Sequence, residues 1–221
     1  MELLKLERIT KKYGQTQNIT ALNGFSLTVK QGEMLALMGK SGSGKSTVLN
    51  IISGIDRLQK GSYTFAGTDM SKVKGDKMTV FRRDNIGFVL QHFALIQDAT
   101  IFDNIALPLR LCHKPKGEIK ERVEKMAALL GIEAQLRKYP KELSGGEAQR
   151  AAIARAVINH PKLILADEPT GALDEENSRK IMELFQKLNA LGNTFIIVTH
   201  DPNVGAMCKR TVNIKDGKNQ N

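Results

Sequence analysis

The chain has 221 residues, enough for one ample α/β domain or two small ones, and with 25% charged and 41% hydrophobic residues it reads as a soluble globular protein and not a disordered one. No uninterrupted apolar run approaches the ~18 residues a bilayer span needs; the best stretch, Ile101 to Leu111, is broken by Asp103, Asn104, Pro108 and Arg110. A formal charge of +10 suits a polyanionic partner (nucleotide, nucleic acid or an anionic membrane face), although the lysines are scattered and also serve solubility.

The opening MELLKLERIT carries acidic residues and no apolar core, so no secretory leader is expected. Short β-like runs at Leu3 to Ile9 and Phe25 to Val29 alternate with turn signals at Gly14, Asn23-Gly24 and Gln31-Gly32. EMLALMG is nearly continuous in apolar residues and passes into a glycine-rich loop, as a strand buried on both faces would; LILAD (Leu163 to Asp167) and TFIIVTH (Thr194 to His200) have the same character. Between them, Ile119, Val123, Met126, Ala127 and Leu130 share one helical face that Gly131 closes. The alanine-rich Ala148 to His160 favours helix, and Ser178 to Leu191 carries a stripe of Ile181, Leu184, Phe185 and Leu188 ended by Gly192. Strands alternating with helices predict a doubly wound, mostly parallel sheet. The helical material from about Ile101 to Arg137 reads as an insertion beside it. Cys112 and Cys208 have no metal-like spacing and read as ordinary thiols of a reducing compartment.

The pattern G-x-x-x-x-G-K-[ST] is met by Gly39, Gly44, Lys45 and Ser46, with a buried strand before and a helix after. Such glycines let backbone N–H groups converge on phosphate oxygens, and the helix N-terminus adds positive potential. Lys45 would reach the β- and γ-phosphates and Ser46 would ligate Mg²⁺. LILADEP delivers Asp167 and Glu168 to a strand's C-terminal end, where Asp167 can hold the metal through water and Glu168 can act as general base. His200 ends the third apolar run at the same sheet edge and can hydrogen-bond the γ-phosphate. Gln91 orients water, touches Mg²⁺ or sits exposed; Tyr13 offers a ring for a purine; spacing alone does not choose. In LSGGEAQR, Ser144 and the Gly145-Gly146 pair have the composition of an anion-holding nest before a helix. That turn is either structural or an aid to the first loop, and its spacing does not say which phosphate it would meet.

Taken together, GKSGSGKST, LSGGEAQR, LILADEP, GALD and VTHD, in that order, resemble the ATPase subunit of an ATP-binding cassette (ABC) transporter, over nearly the whole chain from Tyr13 to about Gly217. The resemblance implies a P-loop NTPase core of mostly parallel sheet, an N-terminal antiparallel β subdomain and a helical subdomain inserted at about 92–150 of a single 1–221 domain. It implies ATP and Mg²⁺ as ligands, with Tyr13 stacking on adenine and the loop Gly39, Lys40, Ser41, Gly42, Ser43, Gly44, Lys45, Ser46 and Thr47 holding phosphates. It further implies that Gln91 links the metal site to a membrane partner, that Asp167 and Glu168 are the metal-site aspartate and catalytic glutamate, and that His200 is the switch histidine. Ala172 to Asp174 resemble the loop communicating between two sites, and Ser144, Gly145, Gly146 and Glu147 the signature that contacts ATP held by a second subunit, giving a head-to-tail homodimer around two ATP.

EPTGALD, HDP and IGFVLQHFAL narrow the likeness to the macrolide-export, lipoprotein-release, FtsE and antimicrobial-peptide-resistance group, and so to permease partners of FtsX/MacB-like type, mechanotransmission, and a peripheral place on the inner face of the cell membrane. Glu147 stands where many members have glutamine; a carboxylate beside a triphosphate is unfavourable, so its side chain is expected to point away. The rival, an ABC ATPase acting on nucleic acid, would carry long coiled-coil or zinc-bearing insertions or a second cassette, so no nucleic acid partner is expected. A non-catalytic binding module would need a damaged base or P-loop. Lys72, Lys74, Lys77, Arg82 and Arg83 read as a solvated surface, with anionic lipid headgroups as the alternative.

Overall fold

The chain begins with two long strands, Glu2–Tyr13 (β1) and Ile19–Lys30 (β2), followed by the apolar strand Met34–Met38 (β3) and the helix Lys45–Ile52 (α1). This computed structural model describes residues 1–14 and 19–220, and the turn expected at Gly14 leads into residues outside that description. Lys60–Phe65 (β4) and Thr68–Asp69 (β5) complete an antiparallel sheet of order β2-β1-β4-β5. Asn23-Gly24 makes no turn, contrary to its composition. Ile9 faces Phe25 while Thr10 faces Asn23, so Gly24 (φ +76°) is the extra residue of a bulge inside β2. The bulge shifts the alternation by one, which lets Leu22 as well as Phe25, Leu27 and Val29 face the core. Inward-facing side chains on both sides of the dipeptide outweigh its local turn preference.

The second sheet holds the three apolar runs. Asp76–Asn85 (α2) leads into Ile86–Leu90 (β6), and then come the helices Ile101–Leu111 (α3), Lys116–Leu130 (α4) and Gly145–Val157 (α5). Leu163–Asp167 (β7), Glu175–Ala190 (α6), Phe195–Thr199 (β8), Pro202–Ala206 (α7), Arg210–Lys215 (β9) and Lys218–Gln220 (β10) finish the chain. The order is β10-β9-β3-β8-β7-β6, parallel from β9 to β6 with β10 antiparallel at the edge. Side-chain alternation divides the core between two faces. Ile164, Ala166, Phe195 and Ile197 pack under α3 to α6, whereas Leu163, Leu165, Ile196 and Val198 pack toward α1 and the antiparallel sheet. The helices of the expected insertion therefore share one apolar cluster with α5, α6 and a face of the sheet.

Helix ends are set by caps. The α5 helix starts three residues before the alanine run because Ser144 caps it, and α6 starts at Glu175 because Asp174 does. Gly131 (φ +64°) ends α4 in the left-handed conformation. Pro108 lies inside α3, a helix of 11 residues. Among the described residues, no helix is long and apolar enough to cross a membrane.

Phe185 of α6 is fully buried with its ring centroid 4.9 Å from that of Phe195 on β8. Phe185→Ala is expected to cost about 3–5 kcal/mol, read as a lowered midpoint in urea unfolding; a loss below about 1 kcal/mol would contradict this packing.

Candidate functional site

The first loop is a backbone cradle made by close approach. It leaves β3 at Met38 and enters α1 at Lys45, with Gly42 and Gly44 at φ +77° and +108°, conformations that glycine alone adopts freely. A Cβ at Gly39 would lie 2.3 Å from the Ile214 carbonyl oxygen, and one at Gly44 2.4 Å from that of Ala21. Gly217 locks the same corner: its N–H donates to the Ser43 carbonyl (3.1 Å), its own carbonyl accepts from Asn23 N–H (2.8 Å), and a Cβ there would meet the Ala21 carbonyl oxygen at 2.6 Å. The buried Lys45 ammonium donates to the carbonyls of Gly39 (2.7 Å) and Lys40 (3.0 Å), which draws the loop around its charge. Ser43 Oγ is buried with no hydrogen-bond partner among the described residues. A cation ringed by loop backbone, beside a helix N-terminus, fits a phosphate.

Opposite the loop, β7 and β8 end in polar groups. Ser46 Oγ lies 3.4 Å from Asp167 Oδ2. Burial, and then the neighbouring Glu168 charge, push the Asp167 pKa up, which a cation at the pair would relieve. Glu168 is a non-glycine residue at φ +47°, and its N–H donates to the Val198 carbonyl (2.9 Å). Its carboxylate is held on both oxygens, by His200 Nδ1 at 2.8 Å and by the Thr199 hydroxyl at 3.3 Å. Thr199 is a contact the sequence did not single out. Gln91 lines the same cleft, and a Cβ at Gly171 would come within 2.9 Å of its Nε2.

Tyr13 stands at the rim. Its hydroxyl donates to Asp56, which also takes the Lys11 ammonium, and that ammonium lies 5.0 Å from the Tyr13 ring centroid. Burial opposes ionisation of Asp56, but Lys11, Tyr13 and the Arg57 N–H outweigh it and leave its pKa lowered. Asp56 lies 43 positions from Tyr13, and no motif marks it. Tyr13, Lys40, Ser41, Gly42, Gly44, Lys45, Ser46, Thr47, Gln91, Asp167, Glu168 and His200 together line a cleft of about 1000 Å³, with Gly39 and Ser43 in the loop behind it.

The signature residues do not join this cleft. Ser144 is exposed at the N-cap of α5, and its N–H and hydroxyl both donate to Glu147 Oε2 at 2.8 Å. Gln135 Nε2 donates to Glu147 Oε1 (2.7 Å), so the carboxylate folds back on its own helix end. Asp174, also exposed, accepts from Asn177 as the cap of α6. The chain thus has a backbone cradle that fits a phosphate, a hydroxyl–carboxylate pair beside it, a carboxylate held on both oxygens, and a capped, solvent-facing helix start elsewhere. This is the equipment of a nucleoside-triphosphate hydrolase.

Comparison with known proteins agrees. The sequence profile of the family described as "ABC transporter" matches residues 22–171. The chain is 46% identical over 217 residues to the ABC transporter ATP-binding protein YxdL of Bacillus subtilis, covering 98% of this chain and 84% of that one. It is 41% identical over 220 residues to the bacitracin export ATP-binding protein BceA of Halalkalibacterium halodurans, covering 99% and 87%. Against the macrolide export ATP-binding/permease protein MacB of Vibrio parahaemolyticus it is 41% identical over 217 residues, but spans only 33% of that protein's length. Among solved structures, the dimeric post-hydrolysis state of the ATP-binding cassette MJ0796 bound to ADP and Pi aligns with a TM-score of 0.91 at 40% identity, covering 99% of this chain and 97% of that one. The chain belongs to the ABC transporter family, as an ATP-binding cassette with ATPase activity.

The Ser144 donors hold the Glu147 pKa below its ordinary value. A lowered carboxylate pKa stabilises the fold above the unfolded value of about 4.3 and ceases to do so as pH falls through the folded value. Glu147→Ala should therefore lower Tm by about 2–4 °C at pH 7, equivalent to roughly 1 kcal/mol of lost capping. In thermal scans that gap should shrink at pH values below about 4; a gap independent of pH would contradict it.

Proposed function

We propose that the chain is a Mg²⁺-dependent ATPase that closes as a homodimer on two ATP molecules and pulls on a membrane permease of FtsX/MacB-like type, in export or mechanotransmission. The exposed Ser144 cap outside the cleft carries this reading: an anion site beside an empty reach of solvent is completed by a second copy, and the related MJ0796 cassette is described as a dimer with ADP and Pi. In that arrangement Tyr13 supports the base at the rim, and the Gly39–Thr47 loop with Lys45 holds the β- and γ-phosphates. Ser46 would ligate Mg²⁺ and Asp167 would hold it through water, and an ion held there would neutralise charge developing on the transferred phosphate.

Glu168 takes a proton from the attacking water, and His200 and Thr199 hold its carboxylate in place. Gln91 sits where the cleft meets the exposed His92 and Ala94, suited to reporting nucleotide state to a permease. Ser144 and the Gly145-Gly146 backbone meet the γ-phosphate of the partner's ATP, the Ser144 hydroxyl exchanging its bond to Glu147 Oε2 for one to that phosphate. Asp174 lies on the same solvent-facing side, available to the facing copy. The permease places the protein peripherally at the cytoplasmic face of the cell membrane. The named relatives and the geometry lend no support to a nucleic-acid-acting ATPase.

Glu168→Gln should bind ATP but hydrolyse it at least about 10²-fold more slowly, accumulating an ATP-dependent dimer in gel filtration; wild-type turnover would overturn the assignment of the base. Ser144→Arg should retain nucleotide binding in the isolated subunit and lose both dimer formation and turnover; normal dimers in that variant would refute the role given to the signature turn.

A further inference from the structure

One polar side chain of α5 points into the core. Gln149 is fully buried, flanked on its helix by the buried Ala148, Ala151 and Ala152. Its Nε2 donates to the Pro169 carbonyl at 2.5 Å, and its Oε1 has no hydrogen-bond partner among the described residues. An apolar side chain of the same size would fill this space without the unpaired Oε1 but would strip the buried Pro169 carbonyl of its donor, so the amide is accounted for by that bond and not by packing. Pro169 directly follows Glu168.

The turn that carries the base is held at several backbone points. Glu168 N–H donates to Val198, the Glu168 carbonyl accepts from Gly171 N–H at 3.0 Å, and the Pro169 carbonyl is taken by Gln149. The first two tie the turn to the sheet and to itself. Among these three, Gln149 alone ties it to the signature helix. Glu168 sits at φ +47°, a conformation a β-substituted residue occupies only when its surroundings hold it there.

The same helix begins at Ser144, five residues or about 7.5 Å of helix axis before Gln149. Its first turn lies against the loop after Pro169 and the start of α6: a Cβ at Gly145 would lie 3.2 Å from Leu173, and one at Gly146 2.7 Å from Asn177 Oδ1. A shift of α5 is therefore felt at the turn bearing the base through a short, directional bond. We propose that Gln149 is a positioning residue for ATP hydrolysis, transmitting the placement of the signature helix to Glu168 of the same chain through the Pro169 carbonyl. The proposal rests on the ATPase reading in which Glu168 is the base and Ser144 meets the partner's ATP. Under it, the chain that clasps its partner's nucleotide also sets its own base.

The test is Gln149→Met in the full chain, a substitution of similar volume that removes the donor and the unpaired acceptor together. The expected result is a kcat reduced about ten- to hundredfold, as for a displaced catalytic group, with the KM for ATP within about twofold and nucleotide affinity retained. In the Glu168→Gln background the same substitution should leave the ATP-dependent dimer intact, because the signature turn itself is untouched. A kcat within about twofold of wild type overturns the proposal. So does a kcat loss matched by loss of nucleotide affinity and a Tm lowered by more than about 8 °C, which marks a merely structural residue. Gln149→Ala is read by the same criteria should the methionine variant be insoluble. Wild-type turnover in Glu168→Gln alone would instead remove the underlying reading of the base, so the two failures are distinguishable.

Discussion

A strand apolar on both faces can carry chemistry only at its ends, and the rest of this protein follows from that constraint. β3, β7 and β8 are packed between helices on one side and α1 with the antiparallel sheet on the other. Their polar groups are therefore confined to the last residue or the turn beyond: the Gly39–Thr47 loop after β3, Asp167 and Glu168 at the end of β7, Thr199 and His200 at the end of β8. Parallel pairing in register puts these three ends side by side, Met38 opposite Thr199 and Asp167 opposite Val198. The site is a result of burial and register before it is a result of any catalytic contact.

The same constraint explains what was legible in the sequence. Continuous apolar runs that end in glycine or in acidic residues are conspicuous, so the parallel sheet and the groups at its edge could be read directly. The helices were legible by period, but their starts were not, because Ser144 and Asp174 act through cap hydrogen bonds that no apolar stripe reports. Asn23-Gly24 misled because a bulge and a turn use the same residues; only the facing strand decides between them. Asp56 escaped notice because it acts across a long sequence separation with no motif around it, whereas Thr199 and Gln149 lie inside VTHD and LSGGEAQR but reach Glu168 and Pro169 by long-range contacts that a motif does not report. The role of LSGGEAQR came from family resemblance, and the geometry adds that its serine faces solvent and its glutamate is spent on the helix end.

Charge is handled differently at the two anion-facing sites. In the cradle, Lys45 is buried and satisfied by carbonyls, so its positive charge is fixed in place before any ligand arrives. At the α5 start, positive potential comes from the helix end, and Glu147 occupies part of it. The first arrangement suits holding a phosphate without rearranging the loop. The second suits contact that forms and breaks with each cycle of closure.

The corner where Gly44 and Gly217 crowd the Ala21 carbonyl bears on the order of folding. The loop motif is local in sequence, yet its rigid form depends on a strand from the first tenth of the chain and on the turn between the last two strands. Closing that corner joins segments far apart in the sequence, a slow kind of contact to establish. During folding, the local turn of the motif therefore precedes the finished cradle. The cradle's rigidity is a product of tertiary closure, and a change that opens that corner would loosen the loop with every motif residue intact.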